Sequence, residues 1–292
     1  MAFVLALAAA LGWGTADFFV RFAAGRIGSY RTLFYMQFFG LAALGLYLLV
    51  TGQLFYLLTH EAWVIWGLAL GAAALNTVSS LALYRAFEVG VTMIVSPISA
   101  GYAAVTAALS LFYGEHVSSF GLFGMLAVLL GVIMVATTFG SAHAAPVRRG
   151  LLPPGVLLAI LASLGYGVAF WVLGFFVTPH LGSVASTALF RLITPCLLAG
   201  YSLVGKASLR MPRGGVWWLL AAIGVFDTVA YIGFNLGVSL AGAQVSVVSV
   251  LASLYSAVTV LLAAIFVRER LQWNQWIGIG IILSGIVLVN VS

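Results

Sequence analysis

The chain alternates long apolar runs with short polar breaks. Ten runs approach or exceed the roughly 20 apolar residues that a helix needs to cross a bilayer. They fall at about 2–22, 32–50, 62–86, 92–112, 119–138, 153–176, 183–205, 215–238, 245–267 and 272–291. The pattern predicts ten transmembrane helices joined by short loops. The longest break, 139–152, divides the chain near its middle, and no loop has room for a soluble domain.

The pattern is also written twice, and fixed-period self-similarity constrains a fold before any motif does. The stretch from Val91 to Thr137 returns about 153 residues later, from Val245 to Asn290. Ser96 to Tyr102 lines up with Val250 to Tyr255, Glu115 with Glu269, Gly124 with Gly278 and Gly131 with Gly285. In the opening helices Gly12-Trp13-Gly14 answers Gly165-Tyr166-Gly167, Phe34 answers Phe190, and Gly71 answers Gly224. The expected organisation is one five-helix repeat over 1–138, a connecting loop over 139–152 and a second repeat over 153–292. Five is odd, so the second repeat enters the membrane upside down. The fold class expected is therefore all-α integral membrane, ten transmembrane helices as two inverted five-helix repeats. Inverted repeats around a midplane site are an architecture of secondary transporters.

Composition agrees. Hydrophobic residues make up 64% of the chain and charged residues 6%, against about a quarter charged in soluble domains. So few charges cannot cover a water-facing surface, and the solvent must be mostly lipid. The net charge of +6, which in a soluble protein would point to nucleic acid, here follows the rule that cytoplasmic loops are basic. Arg21, Arg26, Arg31, Arg85, Arg148, Arg149, Lys206, Arg210, Arg213, Arg268 and Arg270 all fall to one side of a ten-span topology, and the other side receives no Lys or Arg. Both termini are then expected outside the cytoplasm, in a bacterial inner (cytoplasmic) membrane. The first run carries a signal-like Ala6-Leu7-Ala8, but its basic residues follow the run instead of preceding it, which reads as a retained first membrane helix. Cys196 is the only cysteine and can form no intrachain disulfide.

The ten-helix inverted duplication, the Ser96-Pro97-Ile98-Ser99-Ala100-Gly101-Tyr102 segment and the short turns Gly114-Glu115-His116 and Arg268-Glu269-Arg270 together resemble the EamA-type transporters of the drug/metabolite transporter superfamily. The resemblance covers essentially the whole chain. It implies export of small metabolites, amino acids among them; other relatives carry nucleotide sugars or sugar phosphates. It also implies a central cavity inside helices 1, 3, 4, 6, 8 and 9, with helices 5 and 10 at the periphery. The single-unit small multidrug exporters couple protons through a Glu midway along their first helix. Trp13 takes that position here, so that carboxylate is missing.

Ionisable groups within the spans are the sharpest chemical signal, because a charge at the bilayer centre costs about 2.5–3.5 kcal/mol on insertion scales. Asp17 has Arg21 four residues on, a spacing that favours a local pair; the alternative is a gate or proton site. Arg191 lies roughly 12 Å below the outer end of helix 7 and Asp227 about 18 Å above the inner end of helix 8, from the 1.5 Å helical rise. In a core of about 30 Å these are the same depth, so the two are expected to pair or to share one polar pocket. Candidate cavity residues are Trp13, Asn76, Ser99, Tyr102, Tyr166, Trp171, Asp227, Tyr231, Ser253 and Tyr255, with Asp17, Arg21, Arg191 and Asp227 as gating or ion-pair residues. Gln37, Thr77, Ser79, Ser80, Thr106, Asn235, Phe170 and Phe234 extend the polar and aromatic sets. Asn76 is expected across the cavity from Asp227. Pro97 and Pro195 fall inside helices, where proline frees a carbonyl and can kink the chain.

No metal or cofactor is expected: His60, His116, His143 and His180 are scattered near loops, and no CxxC or HExxH spacing occurs. Gly278-Ile279-Gly280 lacks the preceding strand of a nucleotide loop and reads as close helix packing. An integral-membrane enzyme would need a clustered acid–base or nucleophile site, and none is visible. The favoured function is a secondary transporter exporting small organic metabolites, hydrophobic or aromatic amino acids in particular, by alternating access. Phosphorylated cargo fits poorly, since one cation, Arg191, lies within the spans and phosphates are usually held by Arg or Lys. The alternative is a proton-coupled multidrug or organic-cation exporter using Asp227 or Asp17. Partners are the lipid bilayer and the cargo, not nucleic acid, and two repeats in one chain make a self-contained monomer the expected unit.

Overall fold

The computed structural model describes residues 1–90, 92–136, 154–205, 208–240, 243–266 and 272–291, and among these the chain is helical, with no strand. The helices are α1 (Ala2–Ile27), α2 (Ser29–Met36), α3 (Phe38–Val50), α4 (Gln53–His60), α5 (Trp63–Val89), α6 (Thr92–Ala100), α7 (Tyr102–Phe112), α8 (Ser119–Ala136), α9 (Val156–Val172), α10 (Thr178–Leu203), α11 (Val216–Ser239), α12 (Val245–Ala252), α13 (Tyr255–Phe266) and α14 (Trp273–Val291). A π-helical turn, Leu173–Val177, joins α9 to α10. Among the described residues seven continuous helical stretches are long and apolar enough to cross a membrane. One of them, Val156–Leu203, has 48 residues, about 72 Å at the helical rise and more than twice a hydrocarbon core. The connecting loop 139–152, Glu269, Arg148, Arg149, Lys206, Arg268 and Arg270 lie outside the described residues.

Reciprocal contacts relate the two halves. α1 packs on α11, α12 and α13, while α9, its counterpart, packs on α5, α6 and α7. α10 lies against α2 and α3, and α8 lies along α14. Atomic details follow the same exchange. A methyl group on Gly14 would sit 2.7 Å from the Tyr255 carbonyl oxygen, and one on Gly167 would sit 3.0 Å from that of Tyr102. Thr259 Oγ1 donates to the Gly14 carbonyl at 3.1 Å, and Thr106 Oγ1 donates to the Gly167 carbonyl at 2.9 Å. On the periphery Gly131 is held against Gly278 and Ile282, and Gly285 against Gly124 and Val128. Glycine is required at these crossings because a side chain would hold the backbones apart. Contacts exchanged in this way are what a two-fold axis between the halves produces.

The breaks within helices repeat as well. Gly28 ends α1 with φ 85 and ψ 152, and Gly182 interrupts α10 with φ 75 and ψ 169. A positive φ of this kind is open to glycine and strained for other residues. The single residue Gly28 therefore reverses the chain between α1 and α2, where the sequence pattern predicted a loop of several residues. The second correction concerns proline. The Gly101 N–H bonds the Ile98 carbonyl at the α6–α7 break, and the Leu254 N–H bonds the Leu251 carbonyl at the α12–α13 break, both at 3.2 Å. Pro97 precedes the first break, yet no proline precedes the second, so the break belongs to the repeat and not to proline. α10 runs helically through Pro195, its non-helical residue being Gly182. The contacts also fix the register: Ser96 matches Ser249 and Tyr102 matches Tyr255, one residue away from the sequence alignment of Ser96 with Val250. α4 is a further short helix in a stretch expected to be loop.

Among the described residues large apolar side chains stand exposed on the surface, and polar side chains are buried within the apolar core. Phe120, Phe123, Leu126, Leu130 and Ile133 line an exposed face of α8, while Asp17, Gln37, Asn76, Thr77, Arg191 and Asn235 are buried. That inversion of the soluble pattern follows from lipid outside and a polar purpose within.

Candidate functional site

The first helix of each half carries two side chains one turn apart to the same place. α1 presents Trp13 and Asp17; α9 presents Tyr166 and Phe170 at the matching positions. Gly12 lets α1 close on α11, where a methyl group would come within 2.8 Å of Ala230 Cβ. The rings then meet in the centre. The Trp13 centroid lies 5.3 Å from Phe170 and 5.2 Å from Tyr231. Phe170 stacks on Tyr231 at 5.8 Å, and the two-fold mates Tyr102 and Tyr255 stack on each other at 6.2 Å.

Against the rings lies a polar cluster. Arg191, from α10, is 2% exposed. Its Nη2 lies 2.5 Å from Asp227 Oδ2, and its Nη1 donates to Gln37 Oε1 at 2.7 Å. The Trp13 side chain also hydrogen-bonds Asp227, and the guanidinium lies 5.8 Å from the Tyr231 ring centre, within cation–π range. A buried charge persists when it is paired and hydrogen-bonded, and Arg191 has Asp227 as counter-charge and Gln37 as a further acceptor. The Tyr231 hydroxyl donates to Asn76 Oδ1 at 2.7 Å. Tyr166 donates to Ser80 at 2.9 Å. Rings and polar groups together line one cavity between the two halves of the chain.

Asp17 lines this cavity and is 8% exposed, but its carboxylate has no hydrogen-bond or ion-pair partner among the described residues. This departs from the expected pair with Arg21. A spacing of four residues puts two side chains on one helical side without making both turn inward. Asp17 faces the cavity, while Arg21, one turn nearer the helix end, is half-buried and makes no bond to it.

Of the candidates named from sequence, Trp13, Asn76, Tyr102, Tyr166, Asp227, Tyr231 and Tyr255, with Asp17 and Arg191, line the cavity. Asn76 bonds to Tyr231, one turn along α11 from Asp227, as a partner across the space. Ser99 stands behind the wall, 2.5 Å from the Tyr255 hydroxyl. Ser253 donates back to the Val250 carbonyl within its own helix. Trp171 packs instead against Tyr113, Phe175 and Phe176, because it follows Phe170 by one residue and so points about 100° away around the helix. Lining residues that sequence reasoning did not name are Met36, Leu83, Tyr84, Phe190 and Thr194. The spacing Asn76–Ser80–Tyr84, each one turn on, was the available signal for Tyr84. Among the described residues no three His, Cys, Asp or Glu side chains gather to hold a metal ion.

Comparison with known proteins places the fold. A solved crystal structure superposes with a TM-score of 0.77 at 18% sequence identity, covering 99% of this chain and 96% of its own. At that identity the likeness speaks for the fold alone. No curated protein matches. The model of the EamA-like transporter family matches twice, over residues 1–137 and 153–291. A multi-pass helical chain built of two such units belongs to the EamA-like transporter family, within the drug/metabolite transporter superfamily.

Proposed function

We propose that the chain crosses the membrane ten times and works as a secondary transporter of small organic molecules by alternating access, with export of hydrophobic or aromatic amino acids as its task. The seven long apolar stretches count as eight crossings once Val156–Leu203 is divided at Gly182, and the shorter apolar helices Ser119–Met134 and Trp276–Leu288 bring the number to ten. Two five-helix repeats, 1–138 and 153–292, then stand inverted about the cavity, with both termini outside the cytoplasm of a bacterial inner membrane. The observation that carries the functional reading is the cavity itself, lined by aromatic rings together with Asp17 and the Arg191–Asp227 pair. An amino acid with a large apolar side chain has both kinds of surface. Rocking of one repeat against the other about the shared cavity would expose it to each side in turn. The chain works as a self-contained monomer in this reading.

The test is uptake into proteoliposomes of purified protein with labelled phenylalanine, leucine and serine, beside a lipophilic cation. Phenylalanine and leucine should accumulate above protein-free vesicles, and serine less. If no amino acid moves while the lipophilic cation does, the organic-cation reading replaces this one. The observation that favours that second reading is the unpaired Asp17.

A further inference from the structure

One acid in the cavity has no partner. Asp227 is neutralised by Arg191, and both are already hydrogen-bonded, to Trp13 and to Gln37. Asp17 faces the same space, more than nine-tenths buried, with no partner among the described residues. Its two-fold counterpart is Phe170, so the matching position of the second repeat offers a ring and no charge. The cavity therefore holds one carboxyl group that no neighbour engages, among a set of aromatic rings.

An occupant that completes such a site brings a positive hydrogen-bond donor to Asp17 and an apolar body to the rings. We infer that Asp17 is the anchoring point for an amino group of the cargo, held as an ammonium against the carboxylate, with the cargo's hydrophobic portion over Phe170 and Tyr231. Trp13, one turn from Asp17 on the same side of α1, presents a ring face of the kind that attracts cations. This deepens the proposed function, since it rests on the cavity being the transport site while assigning which end of the molecule is gripped.

The test is calorimetric titration of the detergent-purified protein with three probes that share a phenyl ring: phenethylamine, phenylalanine and 3-phenylpropionate. A charge-assisted hydrogen bond corresponds to about a tenfold to hundredfold change in affinity. Phenethylamine should bind at least about tenfold more tightly than 3-phenylpropionate, with phenylalanine between them. Asp17→Asn should abolish the difference, and Asp17→Glu should keep its direction. Equal binding of amine and carboxylate by the unaltered protein overturns the assignment without any variant, so a misfolded variant cannot shield it. An amine affinity that falls when sodium replaces a bulky organic cation at constant ionic strength makes Asp17 an inorganic-cation site and also overturns it. The two proposals fail separately. Amine binding at Asp17 without transport refutes the transporter reading alone, and phenylalanine uptake unchanged in Asp17→Asn refutes the anchor alone.

Discussion

Removing Asp227 tests whether the Arg191–Asp227 pair is structural or a working part. The guanidinium is 2% exposed and sits 2.5 Å from the carboxylate. With Asp227→Leu it keeps Gln37 and the Tyr231 ring but loses its counter-charge. Breaking a buried pair from one side costs about 3–5 kcal/mol, because a charge is left behind, whereas replacing both partners with apolar groups of similar volume is often neutral or stabilising. The single variants Asp227→Leu and Arg191→Met should each lose about 3 kcal/mol or more. The double variant Arg191→Met, Asp227→Leu should recover most of that loss. The assay is reversible unfolding in mixed micelles, followed by far-UV circular dichroism at a common reference composition and read as a double-mutant cycle. A single variant that costs less than about 1 kcal/mol, or a double variant as unstable as the sum of the singles, refutes the reasoning. Uptake by the stable double variant then separates the roles, since transport that survives leaves the pair a packing device.

Three further outcomes follow from the packing. Gly14→Ala and Gly167→Ala should each destabilise by about 1–3 kcal/mol through overpacking, while Gly45→Ala and Gly200→Ala, where nothing lies within 4 Å of the added carbon, should not; thermal unfolding in detergent decides. Glu115 accepts from the N–H groups of Val245 and Ser246 at 2.5 and 2.9 Å, so Glu115→Ala should cost about 1 kcal/mol by uncapping α12, and no measurable change in unfolding would refute the cap. In a Cys196→Ser background, an impermeant maleimide applied to intact cells should label Thr51→Cys and spare Arg213→Cys, and the reverse would overturn the proposed orientation.

The duplication was legible because its markers are enforced by geometry. Gly14 and Gly167, Gly131 and Gly285, and Tyr102 and Tyr255 sit where backbones cross or rings stack, so those residue types recur. The register slipped at Ser96 because Pro97 and Gly101 have no equivalents in the second repeat; they look like landmarks, yet the break they accompany forms without them. Gly28 and Gly182 escaped notice because their flanking sequences share little beyond Gly-Ser, although their backbone angles nearly coincide. The depth of Arg191 and Asp227 could be counted along two long helices, and the structure puts them in contact. The fate of Asp17 could not be counted in that way. Whether a carboxylate turns to its neighbour or to a cavity depends on what packs around the helix, and those residues come from the other half of the chain.

The symmetry that made the fold readable is also what isolates the chemistry. A two-fold relation binds the backbone, because each close crossing must be made twice with the same small residues. It does not bind a side chain that points into the shared central space, where each position faces a different neighbour. Trp13 and Tyr166 keep the aromatic character of their position, but one turn on the repeats diverge, to Asp17 in α1 and Phe170 in α9. Position 99 carries Ser, bonded to the Tyr255 hydroxyl, and its mate at 252 is Ala. A cavity lined by two identical halves would grip both ends of a ligand alike. The substitutions that break the match, Asp17 against Phe170 and Ser99 against Ala252, make the two halves of the site unequal, and so give a preferred orientation to what enters it. In a duplicated chain, the buried polar residues without a counterpart in the other repeat are therefore the first place to look for cargo recognition.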